Sequence, residues 1–517
     1  MENTILKLRK KLQLTQEEFA NTLSVSKQTI QKWETGKNYP DISHLIMLRD
    51  RYKISIDRLI FGVDSDVFDF RFTPITPSYE NKSSWLEYSQ NLLIEYAQTY
   101  EEGKDISYLK NLIESIDGLP NGKDKHDLGD VVFKMLLNAK TRKDFSYIEP
   151  SDWNEITTLI DDKYTHSASP SADLIKGAIV GRLVGCMLGK PVEGVSRDNI
   201  RKLLKYSKNY PISRYIELKD IPEDVAISSL YCVDYMVDSP LPDDDIDYTC
   251  LNKLVLEKYG KTFTSFDVIS TWISSMPSDT YCTAERVAYY QFLRGYMPPH
   301  CATTRNPFRE WIGAQIRADI FGYVNPGKPL EAAHMAYKDA CVSHVKNGIY
   351  GEMFIAALLA IVAYEKDMYK TIEMAINYIP NSSRMHEAIS NILKDYRSGV
   401  SEEKAFQKVY RQYDDHNTHH WLHVICNASI VVLSLLYSKD DFDKALSLAV
   451  SSGYDTDCNG ATVGSVIGLK NGISSIPNKW ITKLNGLIKT DIKNKETIKI
   501  DDFVSETIEL ANKLKGE

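Results

Sequence analysis

The 517-residue chain has eight cysteines, at 186, 232, 250, 282, 301, 341, 426 and 458, and no Cys-x-x-Cys pair among them. Thiols scattered in this way supply neither a disulfide framework nor a structural zinc site. No apolar run reaches the roughly 18 residues that span a bilayer, and Met1-Glu2-Asn3-Thr4 lacks the basic and apolar stretches of a secretory leader. A cytoplasmic protein with no membrane contact is therefore expected. Alternating apolar and polar runs do not recur, which argues against a β-rich or doubly wound fold. What remains is a chain of 43% hydrophobic and 26% charged residues, long enough for two or three domains.

A surplus of basic residues is lacking too, except at the start. Residues 1–62 hold 11 Lys and Arg against 7 Asp and Glu, a surplus of four, whereas the chain as a whole stands at −8. Only this first stretch has the sign expected for nucleic acid. Its punctuation is that of short helices. Leu6, Leu8 and Leu12 mark the first; Thr15 and Glu18 have the spacing of a capping box for the second; Ser26 starts a third that ends near Gly36. A fourth follows Pro40-Asp41, and Ser55 caps a fifth that runs through Leu59. The string Leu14-Thr15-Gln16-Glu17-Glu18-Phe19-Ala20, followed by Val25-Ser26-Lys27-Gln28-Thr29-Ile30 and Lys32-Trp33-Glu34, closely resembles the helix-turn-helix of the Cro and lambda-repressor superfamily. The resemblance implies that Ser26, Lys27, Gln28, Thr29 and Lys32 face the major groove of a double-stranded DNA operator. Gln28 suits adenine, Gln16 and Lys37 suit phosphates, and a homodimer is expected because one half-site gives little specificity.

Between Phe70 and Lys82, Pro74, Pro77 and Ser78 read as a linker. Helical faces return at Trp85, Leu86, Leu92, Leu93, Tyr96 and Ala97, then at Leu109, Leu112, Ile113 and Ile116. Gly118, Pro120, Gly122 and Lys123-Asp124-Lys125 break the pattern before Val131 to Leu137. The expected organisation is all-α: a five-helix module over 1–65, a helical connector over 66–168 packing on the large domain, and a large helical domain over 169–517. No chemistry is assigned to the connector. Within the large domain, Gly351 to Tyr364, Asn427 to Tyr437 and Phe442 to Val450 carry helical spacing.

Gly177, Gly181, Gly185 and Gly189 recur every fourth residue and draw one stripe along a helix that Pro191 ends, leaving Glu193 on the next turn. Glycine costs up to about 1 kcal/mol relative to alanine within a helix, so the stripe requires a close approach, by another helix or by a bulky ligand. Two acidic runs open later helices, Asp243-Asp244-Asp245-Ile246-Asp247 and Asp455-Thr456-Asp457. Carboxylates this dense repel one another, and all-oxygen donors suit a hard cation such as Mg2+ or Mn2+.

Taken in order, the stripe with Gly189-Lys190-Pro191-Val192-Glu193, the first aspartate run, and Gly453-Tyr454-Asp455-Thr456-Asp457-Cys458-Asn459-Gly460-Ala461 resemble the ADP-ribosylglycohydrolase family, whose founding member reactivates dinitrogenase reductase. The resemblance implies an all-α domain with two Mg2+ or Mn2+ ions that cleaves ADP-ribose from an acceptor. It makes Asp243, Asp244, Asp245, Asp455 and Asp457 metal ligands and Glu193 the catalytic acid or base. Arg309 and Gly313 of a diphosphate loop, His344 of Ser343-His344, and Asn459 become substrate-binding residues. Asp243, Ile246 and Cys458 stand where the family supplies threonine oxygens, and Ile246 has no side-chain donor at all. A second reading is thereby kept open: a regulator that senses ADP-ribose or a related nucleotide without turning it over.

Other clusters carry less. His416, His419, His420 and His423 have helical spacing for zinc, but are read as a polar helix start with His423 and Asn427 packed as a pair. Trp272, Tyr281, Tyr289, Tyr290 and Phe292 are assigned to core and rim, with an adenine-stacking residue sought among them. Asp279 and Glu285 are assigned to solvated surface rather than to the acceptor side.

Overall fold

The computed structural model describes residues 2–52, 54, 59, 83–169, 171–222, 225, 227 and 240–516. They fall into two compact units, Met1–Ser78 and Tyr79–Glu517. In the first, helices span Glu2–Lys11, Gln16–Thr22, Lys27–Glu34 and Ile42–Tyr52. Thr15 caps the second helix reciprocally with Glu18, and Ser26 caps the third by accepting from the Thr29 amide. Ile5, Phe19, Leu23, Ile30, Trp33 and Leu48 fill the core. Of the expected fifth helix, residues 55–58 lie outside the described residues, Ser55 among them; Leu59 is buried in the same core.

The larger unit is all-α among the described residues, apart from an antiparallel pair of three-residue strands, Leu487–Lys489 and Thr497–Lys499, with Ile488 opposite Ile498. Its centre consists of helices buried along most of their length: Ala172–Gly189, Lys346–Val362, Val424–Ser438 and Thr456–Asn471. Amphipathic helices surround them, such as Arg384–Arg397, which buries Met385, Ile389, Ile392 and Leu393.

Helices Leu92–Glu101, Lys110–Asp117 and Lys123–Leu137 share a small core of Leu92, Ile106, Leu109, Ile113, Ile116 and Val132. Three details differ from expectation. Leu93 is exposed although its spacing places it on the face of Leu92 and Tyr96. Leu112 is exposed although it shares the spacing of Ile113 and Ile116. The third of these helices starts at Lys123 rather than Val131, because Lys125 is buried and donates to the Asp117 carbonyl, so the charged triplet opens the helix instead of breaking it.

Candidate active site

The glycine stripe meets a second glycine stripe. A Cβ added at Gly177 would lie 2.3 Å from the Gly468 carbonyl oxygen, at Gly181 2.1 Å from that of Gly464, and at Gly185 2.0 Å from that of Gly460. At Gly189 it would lie 2.3 Å from the Thr456 oxygen. The helices Ala172–Gly189 and Thr456–Asn471 are therefore antiparallel and touch backbone to backbone along four turns. Of the two reasons for the stripe, close helix packing is the one realised. Its result is positional: the C-terminal end of one helix, with Lys190 and Glu193 just beyond, is held against the N-terminal end of the other, where Asp455 and Asp457 stand.

Lys190 occupies the middle of the acidic groups. Its Nζ lies 2.9 Å from Glu193 Oε2, 3.0 Å from Asp243 Oδ2 and 2.9 Å from Asp457 Oδ2. Asp243 caps the helix Asp244–Tyr259, its Oδ1 accepting from the Asp245 amide at 3.1 Å. Arg182, fully buried, donates to Asp245 Oδ1 at 3.0 Å and to Asp319 Oδ2 at 2.8 Å. Thr456 gives its hydroxyl to the Gly189 carbonyl at 2.9 Å, so it ties the two helices together. Asn459 lies behind the acidic end and donates to Asn427 Oδ1, which also receives the Asp455 amide.

At this acidic end three buried carboxylate oxygens have no hydrogen-bond partner among the described residues: Asp245 Oδ2, Asp455 Oδ1 and Asp457 Oδ1. Ligand atoms of Asp245, Asp457 and Cys458 lie within 4.8 Å of one another, as do those of Glu193, Asp455 and Asp457. Unsatisfied anionic oxygens in a buried site are costly unless a cation meets them, so this donor set fits a hard divalent ion. Burial raises the pKa of Asp244, with Asp243 adding to it, and that of Asp455, with Asp457 adding to it. For Asp457 burial pushes upward, but Lys190 outweighs it and the group is held below its ordinary value. Glu193 is raised to about 7, by burial first and the Asp457 charge second, against the pull of Lys190. Burial keeps the Cys458 thiol protonated, which makes it a poor partner for a hard ion.

These groups open into a cavity of about 390 Å³. Lys190, Glu193, Asp244, Asp455 and Asp457 line one end, while Trp85, Phe308, Trp311 and Trp421 supply an aromatic wall. Trp85, Gln90, Asn91 and Ile94 come from the connector, to which the sequence assigns no chemistry. Of the aromatics considered from sequence, Trp272 and Tyr281 are wholly buried and stack on each other in the core. Trp85, Trp311 and Trp421 are far apart in sequence, and no spacing rule brings them together.

The expected substrate residues are dispersed. Gly313 lines the cavity, pressed so closely against Glu285 that a Cβ would lie 2.3 Å from Oε1. Arg309 turns away from it and donates to Glu95, Glu102 and Thr99. His344 is fully buried with Nδ1 on Ser343 Oγ at 2.8 Å, and burial drives its pKa down, so the ring is neutral. Glu285, assigned to solvated surface, is buried at the cavity wall and paired with Arg317; burial raises its pKa to about 7 against that pairing. Asp279 is exposed.

Of the four histidines, His419, His420 and His423 surround Glu101, whereas His416 is exposed beside Asp415. His419 Nδ1 accepts from the Trp311 indole N–H and His423 Nδ1 from the Ile425 amide, each at 3.2 Å. Both donors can only donate, so in the neutral rings the proton sits on Nε2, which faces Glu101 Oε2 at 3.5 Å in His419 and Glu310 Oε2 at 3.4 Å in His423, with Glu101 Oε2 at 3.9 Å. No lone pair is left there for zinc. Asn427 donates to the His423 carbonyl at 3.0 Å, the pairing expected of them.

In the smaller unit, Ser26, Lys27, Gln28, Lys32 and Lys37 are exposed. Thr29 is half-buried and shares its hydroxyl with that of Ser26 at 2.9 Å. Gln16 donates to Glu34, which also holds Arg9.

A family model described as ADP-ribosylglycohydrolase matches residues 167–514, and one described as helix-turn-helix matches residues 5–59. Among curated proteins, the HTH-type transcriptional activator BcrR of Enterococcus faecalis is 43% identical over 49 residues, 10% of this chain and 24% of that protein. The chain thus spans about a quarter of that relative's length. A solved structure titled ADP-ribosylglycohydrolase-related protein complex is similar at 17% identity, over 66% of this chain and 97% of that one, with a TM-score of 0.37.

Proposed function

Because the chain belongs to the ADP-ribosylglycohydrolase family over residues 167–514, we propose that its larger unit is a metal-dependent hydrolase releasing ADP-ribose from an ADP-ribosylated acceptor. The observation that carries this reading is the placement of Glu193 beside Asp455 and Asp457, each with an unpartnered oxygen, at the end of an aromatic-walled cavity. A volume of about 390 Å³ lies within the range of small-molecule sites. Held by Asp245, Asp455 and Asp457, a Mg2+ or Mn2+ ion would supply charge to polarise ribose hydroxyls and a water.

The chain's own residues do the rest. Trp85, Trp311 and Trp421 offer faces for an adenine ring. Glu193, with a pKa near 7, takes a proton from the water that attacks the anomeric carbon, or returns one to the departing acceptor. Asn459 holds the start of the Asp455 helix through Asn427 rather than reaching the ligand. The test is incubation with Mg2+ or Mn2+ and arginine-, serine- or nucleobase-linked ADP-ribose, followed by assay of free ADP-ribose. Glu193→Gln should abolish release and leave binding intact; undiminished turnover in that variant would remove Glu193 from the mechanism.

Ile246 and Cys458 favour a second reading, in which the cavity senses ADP-ribose or a related nucleotide without turnover. Binding without release in the same assay selects it. The helix-turn-helix unit is proposed to bind a duplex operator as a homodimer, with Ser26, Lys27, Gln28, Thr29 and Lys32 at the bases and Gln16 and Lys37 at phosphates. Selection from random duplexes, then mobility shifts with and without ADP-ribose, tests both the binding and its linkage to ligand.

A further inference from the structure

Resting on the metal-dependent reading of this cavity, though not on turnover, we infer that Lys190 is a resident cation in place of one of two metal ions, so that the centre holds a single divalent ion. An ammonium group has three donors and no acceptor. Those of Lys190 are matched one to one by Glu193, Asp243 and Asp457 at 2.9, 3.0 and 2.9 Å. An ion seeking the same three oxygens must first displace it. The stem of Lys190 leaves the chain directly after Gly189, whose Cα is packed on the Thr456 and Asp457 backbone, so the ammonium is delivered to this position by the helix contact itself.

The donors left over are those of one ion. Asp243 has both oxygens engaged, Oδ1 by the Asp245 amide and Oδ2 by Lys190, which makes it a helix cap and an ammonium partner rather than a ligand. Asp245 has one oxygen on Arg182 and one without a partner. With Asp455 Oδ1 and Asp457 Oδ1, Asp245 Oδ2 completes a set of three buried carboxylate oxygens without a partner, and Asp244, on the wall of the same cavity, is the one further carboxylate of its run left to the same ion. Beyond these carboxylates, a second ion would have to draw on positions 243, 246 and 458. The first is occupied, Ile246 is buried in the apolar core and has no side-chain donor, and Cys458 offers sulfur, a soft donor that a hard ion favours little. Where the family resemblance leads to two ions, this chain supplies one site and one ammonium.

The deciding measurement is Mn2+ stoichiometry of the full-length protein, by calorimetric titration and electron paramagnetic resonance. Wild type should take one Mn2+ per chain with an uncoupled six-line spectrum. Lys190→Ala and Lys190→Met, checked for wild-type circular dichroism, free the oxygens of Glu193, Asp243 and Asp457 and should raise the number to two, with an exchange-coupled spectrum. Two ions in wild type, or one in both folded variants, would overturn the inference, and the wild-type count stands even if neither variant folds. No ion at all overturns it together with the metal-dependent hydrolase, whereas one ion without ADP-ribose release overturns only the hydrolase.

Discussion

Replacing Gly185 by alanine adds one methyl group and should disable a site whose ligands it never touches. The new Cβ would lie 2.0 Å from the Gly460 carbonyl oxygen and 2.2 Å from its carbon. Ordinary contact begins at about 3.5 Å, so the two helices must part by roughly 1.5 Å. Nothing can rotate out of the way, because the obstructing atoms are backbone. Overpacking of this kind costs about 1–3 kcal/mol, and the better helix propensity of alanine returns at most about 1 kcal/mol. A net loss of about 1–2 kcal/mol is expected, seen as a lower melting temperature of the full-length protein. The larger effect is on metal binding. Asp457 stands one turn further along the same interface, 2.9 Å from Lys190, and a displacement above 1 Å dismantles the cluster. Mn2+ affinity should fall at least tenfold. Gly516→Ala, whose methyl meets nothing within 4 Å, is the control and should change neither quantity. A Gly185→Ala protein with wild-type melting and Mn2+ affinity would refute the argument that backbone contact positions the aspartates.

Three further outcomes are expected. For Glu102, burial pushes the pKa up, but Arg309 and Lys346 outweigh it and hold the group at about 2, below its unfolded value. Its contribution, on the order of 3 kcal/mol, is present above pH of about 4.5 and lost as pH falls towards 2. Glu102→Gln should therefore lower the denaturant midpoint at pH 7, with the gap to wild type closing as pH falls through that window; a gap independent of pH would contradict it. Trp85→Ala should weaken ADP-ribose binding about tenfold by calorimetry without altering Mn2+ uptake, as expected for loss of one stacking face; equal affinity would place the adenine elsewhere. Gln28→Ala should relax base preference at one operator position and leave the salt dependence unchanged, whereas Lys37→Ala should do the reverse; the same effect from both would argue against this docking geometry.

What can be read without coordinates is local. Thr15 with Glu18, and Ser26, announce helix starts because capping depends on residues three apart, and both caps form. The glycine period requires a close neighbour, and it has one. The neighbour's identity, Thr456–Asn471, is not legible, since glycines at 460, 464 and 468 repeat the same period without naming their partner. Lys190 escapes notice for a related reason. A lysine between a glycine and a proline looks like an ordinary helix end, and its three carboxylates lie 3, 53 and 267 residues away. Arg309 and Glu285 sit elsewhere than their sequence context suggests because charge pairing inside a fold depends on burial, and burial is not a property of a residue's near neighbours in sequence. Trp85 belongs to a stretch whose short helices carry no chemical signature, although its indole faces the cavity.

That stretch bears on where the protein can be cut. Arg309 takes its carboxylates from Glu95 and Glu102, Arg384 shares Glu149 with Asn347, and Arg305 reaches Asp130. Excision at residue 167, where the family match begins, would strand guanidinium groups in the interior, and losing one partner of a buried pair costs about 3–5 kcal/mol. It would also uncover Phe308 and Trp311, which Trp85 and Ile94 now cover. The boundary drawn by family likeness is thus not the boundary of a foldable piece: a fragment meant to be studied without its DNA-binding module has to begin near residue 83, and the segment before 167 belongs to the hydrolase-like body as its outer wall.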